Sequence, residues 1–96
     1  MADDIAAFVA AHPVRPGFTA AQMIDVWEHV AGIHARAAAS AASNEETEQH
    51  MDAAATRWQV IAATRWVQRH HGTAAADAFV TYLGDTSSAR ASAARA

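Results

Sequence analysis

The 96-residue sequence contains no cysteine and no lysine, only two prolines and a single leucine, Leu83. The lack of cysteine excludes a disulfide framework, a thiolate zinc site and a cysteine nucleophile. All seven basic residues are arginine, and ten acidic residues give a formal charge of −3. Because neutralising a phosphate backbone requires a basic surface, an acidic chain without lysine argues against nucleic-acid binding.

Long hydrophobic runs are also missing. No stretch approaches the roughly 20 apolar residues needed to span a bilayer. The N-terminal segment MADDIAAFVAAH is acidic, whereas a secretory signal would be basic. These features predict a cytoplasmic protein without a membrane partner, and the richness in alanine and arginine favours a bacterial or phage genome of high GC content.

The sequence also lacks catalytic patterns. It has no glycine-rich phosphate loop, no nucleophile elbow and no His-Glu-x-x-His motif. Asp25 and His29 have the i, i+4 spacing of an acid–base couple, but such a pair is typical of an exposed helix surface. We therefore expect that the protein is not an enzyme, with no catalytic residues and no cofactor.

What the chain does have is alanine, which accounts for 28 of its 50 apolar residues. Alanine has the highest helix propensity but contributes little area to a core. A chain of this size buries a modest share of its unfolded surface, so the monomer is expected to have low stability. Alanine-rich helices of this kind gain stability from a partner, which predicts a homo-oligomer.

Local signals place four helices in the sequence. Capping boxes are expected at Thr19–Gln22 and Ser43–Glu46, the segment HPVRPG stops the first helix, and Gly72 and Gly84 have the positions of terminating glycines. The predicted helices cover residues 3–11, 19–41, 44–71 and 73–83.

The predicted fold class is therefore all-α, with a long antiparallel helical hairpin flanked by two short helices. A single hairpin exposes an apolar stripe, and pairing into a helical-bundle dimer would cover it. Residues 1–84 are expected to form one helical domain. Residues 85–96 contain no large apolar side chain and are expected to form a disordered tail, with a frayed continuation of the fourth helix as the alternative.

The pentapeptide AATRW occurs twice, at residues 54–58 and 62–66. An offset of eight residues rotates a helix by only about 80°, so Trp58 and Trp66 share one broad face and the repeat is better explained by helix geometry than by a binding motif. In the predicted hairpin, residue i faces about 87 − i, which places Trp58 in the core near Val30. Trp66 lies toward the end opposite the turn, so we predict that it is a partner-binding anchor, either exposed or buried in the dimer, together with Arg65 and Arg69.

Six histidines raise the question of a metal site. His50 is expected near the turn, far from His29 and His34. Glu46 and His50 have the i, i+4 spacing of two metal ligands, but no second pair completes a site. His12, His70 and His71 should lie at the end opposite the turn, where His70 and His71 complement the helix dipole. We expect no bound metal, and a metal-binding or pH-sensing trio of His12, His70 and His71 is the alternative.

The opening MADDIAAFVAAHP, followed by MIDVW, resembles the start of the small delta subunit of formate dehydrogenases, which runs through an isoleucine–phenylalanine helix to a tryptophan. The likeness covers about a third of the chain and carries no functional residue. The resemblance implies an accessory subunit of a larger metabolic enzyme.

The function expected from the sequence is that of a small non-enzymatic module for protein–protein interaction, homodimeric, acting as an adaptor, inhibitor or antitoxin-like regulator. Two alternatives remain. One is the accessory subunit, and the other is a binder of metal or a small ligand through the histidines opposite the turn.

Overall fold

A computed structural model describes the backbone of residues 2–95 and the side chains of residues 4–86. The described chain is all-helical and contains no strand, which confirms the predicted fold class at this level. Its four helices are α1 (Ala2–Ala11), α2 (Ala20–Ala39), α3 (Asn44–His71) and α4 (Thr73–Arg95).

The starts of α2 and α3 follow the predicted capping boxes. At α2, Thr19 Oγ1 accepts a hydrogen bond from Gln22 N at 3.2 Å, and Gln22 Oε1 accepts one from Thr19 N at 3.2 Å. At α3, Glu46 N donates to Ser43 Oγ at 3.2 Å. The returning bond there differs slightly, since Ala42 N rather than Ser43 N donates to Glu46 Oε2, at 3.3 Å.

Gly72 separates α3 from α4. Its φ of 91° lies in the left-handed region, which glycine adopts without steric cost. Gly72 N donates to Gln68 O at 3.0 Å at the end of α3, and Gly72 O accepts from Ala76 N at 3.1 Å at the start of α4. One glycine therefore ends one helix and begins the next.

The end of α4 differs from the sequence prediction. The helix was expected to stop at Gly84, but the helical backbone continues to Arg95, as in the alternative of a helical continuation. Gly84 does not have a positive φ, and an interior glycine costs a helix only about 1 kcal/mol relative to alanine. The alanines after it favour helix, and Asp85 forms an ion pair with Arg15.

The described chain divides into two compact units. Unit 1 contains residues 2–23 and 64–95, and unit 2 contains residues 24–63. In unit 1, α1 contacts α4, and the buried side chains are small: Ala20, Thr64, Ala75, Ala76, Ala78, Val80 and Thr81. In unit 2 the buried side chains are Ile24, Ala31, Ala54 and Ile61. That residues 1–84 form one domain stays a prediction.

A contact distant in sequence fixes the start of α2 within unit 1. Asp77 Oδ1, from α4, accepts a hydrogen bond from the backbone N of Ala20 at 2.7 Å. Ala20 is the first residue of α2 and is 1% exposed. The carboxylate satisfies an amide that has no partner within the helix, and its negative charge lies at the positive end of the helix dipole.

Candidate functional site

An exposed tryptophan lies near the end of α3 in unit 1. Trp66 is 53% exposed, and the His70 ring stacks on it with a centroid separation of 4.3 Å and an interplanar angle of 22°. His70 Nδ1 is 2.8 Å from Trp66 O. Because a carbonyl oxygen only accepts, Nδ1 carries the proton and donates. The tryptophan ring is thus held in one orientation by the next turn of its own helix.

Two arginines accompany this tryptophan. Arg65 and Arg69 are both exposed on the same turns of α3. We call Arg65, Trp66, Arg69 and His70 together the Trp66 patch. Trp66 is exposed in the single chain, and its role in binding a partner, with Arg65 and Arg69, stays a prediction.

The three histidines proposed as a metal-binding trio have different neighbours. His12 contacts Phe8, with ring centroids 4.6 Å apart, and Tyr82, at 5.4 Å. His70 and His71 instead contact Trp66, the latter edge-on at 5.6 Å. Within the part of the chain that the structure describes, no three metal-ligating side chains form a group that could hold an ion. The structure therefore does not assemble His12, His70 and His71 as one site.

A second site, in unit 2, was not predicted from the sequence. A groove of about 510 Å³ lies between α2 and α3. Alanines form most of its lining, and Met51 and Trp58 stand at its α3 side. The residues that line it are Ala35, Ala38, Ala39, Thr47, Met51, Ala54, Ala55 and Trp58.

The exposure of Trp58 corrects the sequence prediction, which placed this side chain in the core near Val30. Trp58 is 49% exposed and Met51 is 59% exposed. Ile61, which is 1% exposed, marks the buried face of α3, and Trp58 lies about 60° around the helix from it. The α2 residues along the groove are alanines, which are too short to cover an indole ring.

A pair of histidines in unit 2 also corrects the prediction. His34 Nδ1 and His50 Nδ1 are 3.0 Å apart, although His50 was expected to lie far from His34. The rings are 5.2 Å apart with an interplanar angle of 35°. The predicted register could have found this pair, because it places His50 level with residue 37, less than one turn from His34.

Other sequence candidates do not form sites. Asp25 and His29 are both exposed on α2, as expected of a surface pair. The Glu46 carboxylate accepts the hydrogen bond from Ala42 N, so its role is to cap α3 rather than to complete a metal site with His50.

Comparisons with known proteins identify no relative. The chain matches no protein-family model, and no curated protein or solved structure is detectably similar to it. The resemblance of its first third to the formate dehydrogenase delta subunit thus has no counterpart in these comparisons. Among the described helices, none is both long enough and apolar enough to span a membrane.

Proposed function

We propose that this protein is a non-catalytic helical interaction module that forms a homodimer and binds another protein. The observation that supports the proposal best is the exposure of two tryptophans, Trp58 at 49% and Trp66 at 53%, in a chain with a small-residue core. Exposed tryptophan is costly to leave in water, and tryptophan and arginine are enriched where interfaces derive most of their binding energy.

The groove of unit 2 suits a second copy of the same chain. A twofold interface must be self-complementary, with projecting side chains and the depression that receives them on one surface. This surface has both, because Met51 and Trp58 project beside an alanine-lined depression. In the proposed dimer, α2 and α3 form an antiparallel hairpin, and two hairpins pack as a four-helix bundle with Trp58 of each copy in the groove of the other.

The Trp66 patch suits a different protein. Its arginines lie one residue before and three residues after the exposed ring on α3, so the partner that fits is a segment with carboxylates beside an apolar side chain. Stacking against His70 restricts the Trp66 ring before binding, which reduces the entropy lost when the complex forms.

Two tryptophan variants test the two surfaces separately. Trp58→Ala should shift the mass measured by light scattering from dimer to monomer, while Trp66→Ala should leave the dimer intact. Circular dichroism should show unchanged helix content in both. A wild-type protein that is monomeric at high micromolar concentration, or a Trp58→Ala variant that dimerises as well as wild type, would refute the proposed dimer.

The partner surface requires its own experiment. Untagged protein should be isolated from its own host and analysed by native mass spectrometry, and a bound second chain should be lost in Trp66→Ala and weakened in Arg65→Ala and Arg69→Ala. Val26→Ala is a matched control, since Val26 is also exposed, at 50%, but belongs to unit 2. A partner retained by all three patch variants would disprove the assignment of the Trp66 patch.

A further inference from the structure

We propose that His34 and His50 form a two-histidine chelate for a divalent transition-metal ion, which links α2 to α3 within unit 2. The pair combines two features that a chelate needs. The two Nδ1 atoms are 3.0 Å apart, and they come from different helices, 16 residues apart in sequence. Both side chains are half-buried, so solvent and ions reach them.

The separation of the nitrogens fits coordination as well as it fits a hydrogen bond. Zinc–histidine bonds are about 2.0–2.1 Å long, which places two tetrahedral nitrogen ligands about 3.3 Å apart and two neighbouring square-planar ones about 2.9 Å apart. The observed 3.0 Å is within a few tenths of an ångström of both values. A small rotation of each ring would direct both lone pairs to one point.

The chemistry of the donors selects the class of ion. Neutral imidazole suits Zn²⁺, Cu²⁺ and Ni²⁺, with Cu²⁺ bound most tightly, whereas Ca²⁺ and Mg²⁺ require oxygen ligands. No third protein ligand joins this pair among the residues whose side chains the structure describes. The carboxylate one turn before His50 on the same face of α3, that of Glu46, is engaged by Ala42 N. Water therefore fills the remaining coordination positions, and the ion is exchangeable.

A bound ion should stabilise unit 2, because the helices around the histidine pair are held together by small side chains. The neighbouring side chains of α2 and α3 are mostly alanines, which hold the two helices together through little buried area. An ion that binds the folded protein and not the unfolded chain stabilises the fold by mass action. The proposed metal site is independent of the proposed dimer and partner, since it requires only unit 2 of one chain.

The test is a calorimetric titration of metal-free protein with ZnCl₂ at pH 7.5. Wild type should bind one equivalent, and His34→Ala and His50→Ala should each weaken binding at least about tenfold, since even partners that only orient a ligand contribute that much. The double variant His70→Ala/His71→Ala is the control and should bind as wild type does, because those side chains contact Trp66 instead.

A second readout measures the stability of the fold instead of the binding of the ion. Saturating Zn²⁺ should raise the melting temperature of wild type by about 5 °C and leave that of His50→Ala unchanged. Copper bound to wild type should show nitrogen ligation by electron paramagnetic resonance. Absence of zinc binding to wild type, or binding by either His34→Ala or His50→Ala that is as tight as that of wild type, would overturn the proposal, and so would loss of binding in the control.

Discussion

The contact between Asp77 and the start of α2 gives the sharpest test of how unit 1 is stabilised. Asp77 Oδ1 accepts the hydrogen bond from Ala20 N at 2.7 Å, and Ala20 is almost fully buried. Replacing the carboxylate by a methyl group in Asp77→Ala leaves that amide without its partner. It also removes a negative charge from the positive end of the α2 dipole.

The expected size of the effect is the sum of these two contributions. A hydrogen bond to a charged group contributes about 1.5–3 kcal/mol, and the dipole adds up to about 1 kcal/mol. Because Asp77 is half-buried rather than fully enclosed, we expect Asp77→Ala to lower the free energy of unfolding by about 2 kcal/mol. Asp77→Asn keeps an oxygen acceptor and loses only the charge, so its cost should be about 1 kcal/mol.

Urea denaturation monitored by circular dichroism at 222 nm measures this difference. The titration should be repeated at several protein concentrations, because dimer formation would add a concentration-dependent term. Asp25→Asn is the matched control, since Asp25 is exposed on α2 itself, and its effect should stay below about 0.5 kcal/mol. Unfolding of Asp77→Ala at the same urea concentration as wild type, or an equal loss of stability in Asp25→Asn, would refute this role of the carboxylate.

Four further substitutions test the packing and backbone, each measured by the same urea titration. Ile61→Ala, at a side chain that is 1% exposed, should cost about 2–4 kcal/mol, whereas Ile33→Ala, at 45% exposure, should cost less than about 1 kcal/mol; equal losses would contradict the assignment of the core. Gly84→Ala should stabilise by about 0.5–1 kcal/mol, because a Cβ there meets no atom within 4 Å and the residue is inside a helix; a loss would show that α4 ends earlier. Gly72→Ala should instead destabilise by about 1 kcal/mol, because its φ of 91° is unfavourable for alanine.

Features of the fold that depend on a few neighbouring residues could be predicted from the sequence. The capping box of Thr19 and Gln22 is one, since both partners lie within a single turn. The end of α3 at Gly72 is another. Gly84 looks the same in sequence, but a glycine ends a helix only when the chain adopts the left-handed conformation there, and this depends on the residues C-terminal to it.

Features that depend on how α2 meets α3 could not be predicted reliably. The contact between His34 and His50 lies about three residues, less than one turn, from the predicted register, so the register brings the two residues near each other without deciding whether their rings meet. The exposure of Trp58 depends on alanines opposite it on α2, so helical periodicity alone could not assign it to the core or to the surface. Arg65, Trp66 and Arg69 could be grouped from the sequence because they are adjacent on one helix, whereas the stacking of His70 on Trp66 was not predicted.

The composition of unit 1 has a consequence for biosynthesis. This unit consists of residues 2–23 and residues 64–95. Helix α1 therefore emerges from the ribosome long before α4, the helix that it contacts. Until α4 is synthesised, Phe8 lacks its contact with Tyr82 and the start of α2 lacks the Asp77 carboxylate. Unit 2 is continuous in sequence and faces no such delay. During translation, the first residues of the chain are thus among the last to reach their final contacts, and they are exposed meanwhile to chaperones and proteases.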